Sequence, residues 1–186
     1  MIRARGFAAT SIDDLCATAE VSRGAFFHHF ASKEALGVSA ARYWSESTGE
    51  FFAAAPYHQP DRPLDRVLAY VAFRRTMIEG EIYQFSCLAG TLAQEIYDSS
   101  QPIREACNDS ILGHAAPLEA DFAGAIADCR VTGVSAEGLA LHTQAVVQGA
   151  LVLAKASKNP ALARDSFDHL ERYLRLLFTP EASPTA

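Results

Sequence analysis

No apolar run among these 186 residues approaches the roughly 20 needed to cross a bilayer, so a membrane is not an expected partner. The β-branched alternation that marks half-buried strands is missing as well. The opening "MIRARGFAATS" carries basic residues without an apolar core, so it is not expected to act as a secretory signal. Cysteine is sparse. Cys16, Cys87, Cys107 and Cys129 are scattered without a CxxC pair, so they read as reduced thiols of a cytoplasmic protein, acting mainly as small core residues. GxSxG, HExxH, a phosphate-binding glycine loop and a dinucleotide fingerprint are all missing. His58, His114, His142 and His169 have no partner in register. His28 and His29 are neighbours that diverge by about 100° on a helix, with no carboxylate or thiol at ligand spacing. The expectation is a protein that is not an enzyme and carries neither cofactor nor metal.

Positive charge is also short, and the net charge of −6 argues at first against nucleic acid. Its distribution matters more. Residues 1–44 set Arg3, Arg5, Arg23, Lys33 and Arg42 against Asp13, Asp14, Glu20 and Glu34, a balance of +1, and the rest of the chain carries −7. Only the N-terminal stretch can approach phosphate without strong repulsion.

What the chain has in plenty is apolar surface and helix formers. Apolar residues make up 49%, enough for a sizeable core, with disorder expected only in the "TPEASPTA" tail. Gly6 reads as a helix end. Thr10 and Ser11 are candidate caps for a helix whose Ile12, Leu15, Cys16 and Ala19 share one face. Ser22 is a candidate cap for a short helix ending near His29, and Ser32 for a longer one running toward Pro56. Further helices are expected near 62–79, 84–98, 101–130, 135–157 and 160–178, making an all-α chain of about nine helices without internal repeats.

Residues 11–29 have the form helix, three-to-four-residue turn, helix, the spacing of a helix-turn-helix whose second helix enters the major groove. On a helical wheel Phe26 and Phe30 share the inner side and can pack on Ile12, Leu15 and Val21. Gly24 and His28 face away, with Ala25 beside them and Phe27 and His29 on the flanks. Arg23 stands in the first turn, within reach of guanine edges or phosphate. Gly24 removes a side chain where a backbone must come close. Lys33 follows a cap, so an ammonium and a helix N-terminus can hold one phosphate. Ser22, Gly24 and His28 join the candidate DNA-binding residues on these grounds.

The stretch "GFAATSIDDLCATAEVSRGAFFHHFASKEAL", residues 6–36, resembles the DNA-binding signature of the TetR family of bacterial transcriptional regulators. Gly6, Phe7, Thr10, Ser11, Ile12, Leu15, Ala19, Val21, Ser22, Gly24, Phe26, His29, Phe30, Ser32, Lys33, Glu34 and Leu36 carry the match. "CLAGTLAQEI" (87–96) and "GVSAEGLALHTQAVVQGALVLAKAS" (133–157) are similar to the family's helical effector domain. The resemblance implies that Thr10, Arg23, Ala25, Phe27, His29 and Lys33 meet DNA. Phe27 stands where tyrosine is usual, which removes a hydroxyl that commonly bonds phosphate, at a cost of ~1 kcal/mol. Ala25 stands where a hydroxyl residue is frequent, leaving a methyl for a thymine methyl. The family's first helix runs several turns ahead of the glycine, whereas "MIRAR" alone stands here, too short to hold a helix by itself. The expectation is a truncated first helix and a loosened reading head.

The implied organisation is a helix-turn-helix domain over 1–44, a helical ligand-binding and dimerisation domain over 45–180, and a tail over 181–186. Broad apolar coverage near the C-terminus, notably Val146, Ala150, Phe167, Leu170, Leu174 and Leu177, suits one internal core or, as the resemblance implies, a four-helix homodimer interface. Phe73, Met77, Tyr83, Cys87, Thr91, Glu95, Phe122, His142 and Gln148 are candidate walls of an effector pocket. The implied function is a cytoplasmic, homodimeric repressor of palindromic double-stranded DNA that is released by a small molecule. The alternative is an effector-binding dimer that has lost DNA binding along with its first helix.

Overall fold

The structure is a computed structural model and describes residues 1–179. All but Thr179 of the tail expected to be disordered, including the 181–186 segment, lies outside the described residues. Helices follow one another as α1 (Ile2–Arg5), α2 (Ile12–Ala19), α3 (Arg23–His29) and α4 (Lys33–Ala53), then a 3-10 turn at Pro56–His58. They continue as α5 (Pro63–Thr76), α6 (Ile82–Phe85), α7 (Leu88–Ile96), α8 (Gln101–Gly113), α9 (Ala116–Cys129), α10 (Ala136–Ser157) and α11 (Pro160–Leu177). The described residues contain no strand, as the sequence leads one to expect.

Local chemistry explains the boundaries. Ser11 and Asp14 form a reciprocal capping box at α2, and the bonds from Ser11 hold the Asp14 carboxyl below its ordinary range. Ser22 accepts from Ala25 N–H at α3, Ser32 from Ala35 N–H at α4, and Ser135 from Gly138 N–H at α10. Proline opens α5 and α11, where its missing N–H costs nothing.

Two expected helices are divided. The helix expected over 101–130 breaks into α8 and α9, because Pro117 cannot continue a helix through 113–117 and instead sits in the first turn of α9. The helix expected over 84–98 separates into α6 and α7, with the Cys87 sulfur accepting from Gly90 N–H to cap the second. "MIRAR" does hold one helical turn, contrary to the reading by length alone. Ile2 is buried in a shared cluster with Phe7, Ala89 and Leu92, so packing supplies what so short a helix lacks. By length and composition α10 is also apolar enough to span a membrane, although eight of its residues are buried within this fold.

The chain forms two compact units. The first joins Met1–Ala53 to Ser86–Gly113 and the second joins Ala54–Phe85 to the chain from His114 onward. The first 44 residues are therefore not packed as a body of their own. In unit 1, Ile2, Phe7 and Ala41 share a core with Ala89, Leu92, Ile103, Ala106 and Cys107. Burial, with Cys87 nearby, pushes the Cys107 thiol up to about 11, so it stays protonated. In unit 2, Phe122, Phe167, Leu174, Val67, Val71 and Val147 are fully enclosed where α5, α9, α10 and α11 pack.

Candidate nucleic-acid interface

The turn between α2 and α3 is tight because Glu20 takes the left-handed conformation, at φ 55 and ψ 39, and ends α2. Ser22 then starts α3. Phe26 is buried, with its ring centre 5.6 Å from that of the half-buried Phe30. Phe27, one residue on and so about 100° around the helix, is 47% exposed. Arg23, Gly24, His28 and His29 are exposed and Ala25 is half-buried, so one side of α3 is open to solvent. Val21, expected to pack inward, is exposed instead, because it lies in the turn before α3 begins.

Gly24 is informative because nothing in the fold requires it. Its φ is ordinary, and a Cβ there would meet only the Ser22 hydroxyl, at 3.6 Å. Glycine inside a helix costs about 1 kcal/mol relative to alanine. The packing around Gly24 offers no gain that offsets that cost, and its backbone is left bare on the exposed side of α3.

Arg23 is not loose. Its Nη1 bonds both carboxylate oxygens of Asp13, at 2.8 and 3.0 Å, and its guanidinium lies 5.9 Å from the Phe27 ring centre. Lys33 is half-buried, with Nζ 3.4 Å from the Ala8 carbonyl oxygen and 4.5 Å from the Phe7 ring centre. Thr10 lies off the open side altogether. It is fully buried and donates its hydroxyl to the Gly6 carbonyl, so its role is to fix the link ahead of α2. Leu15, left half-buried, borders an apolar cleft of about 320 Å³ shared with Ile2, Ala19 and Leu88.

The residues expected to wall an effector pocket do not share one unit. Cys87, Thr91 and Glu95 belong to unit 1, and Phe73, Met77, Tyr83, Phe122, His142 and Gln148 to unit 2. Within unit 1, the Thr91 hydroxyl donates to the Cys87 carbonyl and the Glu95 carboxylate accepts from backbone N–H groups. Within unit 2, Phe122 is fully buried while His142 is exposed, its ring 5.4 Å from that of Tyr173.

A polar group in unit 2 was not anticipated. Gln144, buried on α10, donates to the Tyr70 hydroxyl at 3.3 Å and to the His114 carbonyl at 3.2 Å. The Tyr57 ring packs edge-on to Tyr70 at 5.1 Å, and burial pushes its phenol up to about 12. These residues lie far apart in sequence, so no spacing announces them.

Of the expected dimer residues, Ala150, Phe167, Leu170 and Leu174 are buried within a single chain, as the internal-core alternative has it, while Val146 and Leu177 are half-buried. The apolar side chains left open on these helices are Leu141, Val152, Leu153, Leu162, Tyr173 and Leu176, the last 76% exposed.

Two capped helices joined by a three-residue turn, with the second presenting an open polar and aromatic side, define a helix-turn-helix protein. Residues 1–39 match the family described as bacterial regulatory proteins, tetR family, and residues 63–166 match the C-terminal domain described as transcriptional regulator LmrA/YxaF-like. The chain belongs to the TetR family of bacterial transcriptional regulators, with an LmrA/YxaF-like C-terminal domain. It is 34% identical over 127 residues to the HTH-type transcriptional repressor NemR of Escherichia coli K12, a match covering 61% of this chain and 57% of NemR. The chain thus spans little more than half the length of that curated relative. The crystal structure of E. coli NemR in its reduced form superposes with a TM-score of 0.78 at 25% identity, covering 92% of this chain and 89% of that one. The TetR-family regulator CifR, solved with a 26-base-pair double-stranded operator, shares the fold with a TM-score of 0.75 at 17% identity, over 92% of this chain and 89% of that one.

Proposed function

We propose that this chain is an effector-responsive, homodimeric repressor that binds palindromic double-stranded DNA through α3. The observation that carries this reading is the open side of α3, where Gly24 keeps a bare backbone that the fold does not need. Arg23 supplies a guanidinium for guanine edges or phosphate, Ala25 a methyl, Phe27 an apolar face, and His28 and His29 hydrogen-bond partners. Ser22 and Lys33 meet phosphate from their helix N-termini. NemR's naming as a repressor and the operator held by CifR support the same reading.

The second copy packs on the exposed apolar side chains of α10 and α11, because six large apolar groups left open on two packed helices suit a contact surface. A two-fold pair then sets two α3 helices about 34–36 Å apart, one turn of DNA. The effector is a small molecule that favours one of two conformations of the dimer. The buried Tyr70–Gln144–His114 group is where its polar atoms are received. The protein acts in the cytoplasm, where its DNA is.

Fluorescence anisotropy of the full chain with duplexes from the DNA flanking its gene tests the proposal at stated salt concentrations. Saturable binding that weakens steeply with salt supports it, and salt-independent or absent binding to every flanking duplex contradicts it.

A further inference from the structure

Glu95 stands in the last turn of α7, and its Oε2 accepts from two consecutive backbone donors, Phe7 N–H at 2.7 Å and Ala8 N–H at 3.0 Å. Both donors lie in the link over residues 6–11, between α1 and α2. Charge-assisted bonds of this kind are stronger than neutral ones. Gly6 is fitted to the same carboxylate. Its φ is +91, and a Cβ built there would collide with Glu95 Oε1. Lys33 closes the other side through the Ala8 carbonyl and the Phe7 ring, and Thr10 ties the link back to Gly6.

With the backbone of Phe7 and Ala8 held, few rotatable bonds remain before the Ser11–Asp14 capping box starts α2, and only three residues then separate α2 from α3. A second tie lies one turn beyond. The Ser100 hydroxyl, at the start of α8, donates to Glu34 in the first turn of α4. The α7–α8 segment is thus bonded to the link before α2 and to the helix after α3, and all of these contacts lie inside unit 1.

We propose that Glu95 is a positioning residue for DNA recognition, fastening α7 to the start of the helix-turn-helix so that α3 moves when α7 moves. The inference rests on α3 being the DNA-contacting helix. Among the described residues the Glu95 carboxylate is hydrogen-bonded to main-chain N–H groups, so its effect on base preference acts through the placement of α2 and α3. The segment from Ser86 to Gly113 continues in the chain at both ends into residues of unit 2, which gives an effector's strain a covalent route to Glu95.

The test uses the full-length wild type with Glu95→Ala, Glu95→Asp and Glu95→Gln. Each is titrated against the duplex that wild type enriches from a random pool and against an unrelated duplex. Folding is verified by thermal melting, and binding is read well below the melting point. Glu95→Ala should lose about tenfold in discrimination between the duplexes, with binding to the unrelated duplex and its salt slope unchanged. Glu95→Gln, whose amide oxygen still accepts from the link, should keep discrimination within about threefold of wild type. Glu95→Asp, one methylene too short, should fall between them and decides the matter if the alanine variant melts too low. Unchanged discrimination in a folded Ala or Asp variant overturns the proposal, as does equal weakening on both duplexes, the mark of a merely structural role. A wild type that enriches no duplex overturns the reading of α3 itself, and the inference with it.

Discussion

Arg23 and Asp13 meet across the helix-turn-helix, with Nη1 of the first turn of α3 bonded to both carboxylate oxygens of the first turn of α2. Both side chains are more than half exposed, so the pair adds little to stability. On the proposed reading of α3, its weight lies in recognition. Asp13 holds the guanidinium in one place and cancels its charge until something more strongly anionic or better shaped competes. Asp13→Asn should therefore tighten binding to unrelated duplexes and steepen the salt dependence by roughly one phosphate's worth. Arg23→Ala should relax preference at one base position by about 1–3 kcal/mol if Arg23 reads a guanine, whereas uniform weakening across sequences assigns it to phosphate. Anisotropy titrations over a panel of single-base variants distinguish the two outcomes.

Gly24→Ala should separate stability from function. Among the described residues beyond its own helix turn, the nearest atom to the added methyl is the Ser22 hydroxyl oxygen at 3.6 Å, so the fold should gain up to about 1 kcal/mol of helix propensity, at most about 2–4 °C in Tm. The same methyl would crowd a closely approached DNA surface, lowering affinity for the selected duplex by about tenfold or more. Calorimetry and anisotropy on one preparation check both halves.

Leu176 and Leu153 stand open on α11 and α10, so charge there should break the proposed dimer without harming the chain. Leu153→Glu with Leu176→Glu should sediment as a monomer, with a Tm change limited to what loss of the partner brings. Leu170→Glu, which buries a charge in the chain's own core, should fail to fold.

His114 supplies a pH dependence. Burial, and secondarily the charge of Arg74, holds its imidazole below the ordinary range. The unfolded chain titrates this group near pH 6.5 and takes up a proton that the folded chain refuses. Stability from this source is therefore present above about pH 6.5 and is lost on acidification toward the lower folded value. Thermal melts between pH 8 and 5 should show that decline, and His114→Gln should flatten it. Gln144 keeps its bond in that variant because it binds the His114 main-chain carbonyl.

Helical phase made α3 readable in advance. Phe26 and Phe27 differ by one position, and one is buried while the other is exposed. Local caps at Ser11, Ser22 and Ser32 were equally visible, since donor and acceptor lie within three residues. The placement of Glu95 was not, because its partners are 87 and 88 residues away and no period links them. Gln144, Tyr70 and His114 were hidden for the same reason. The C-terminal helices show a different limit. Both sides of α10 and α11 carry apolar residues, so periodicity does not say which side is core. The most apolar repeat, Phe167–Leu170–Leu174, turned out to be the inner one.

The central claim is that two copies of α3 read a palindrome. The most direct measurement is enrichment of duplexes from a random-sequence pool by the full-length protein, followed by the binding stoichiometry and salt slope of the winner. The predicted result is a palindromic site with half-sites about one helical turn apart, two chains bound per duplex, and affinity that falls steeply between 50 and 200 mM salt. A pool that stays random, or a non-palindromic winner bound by one chain, would contradict it.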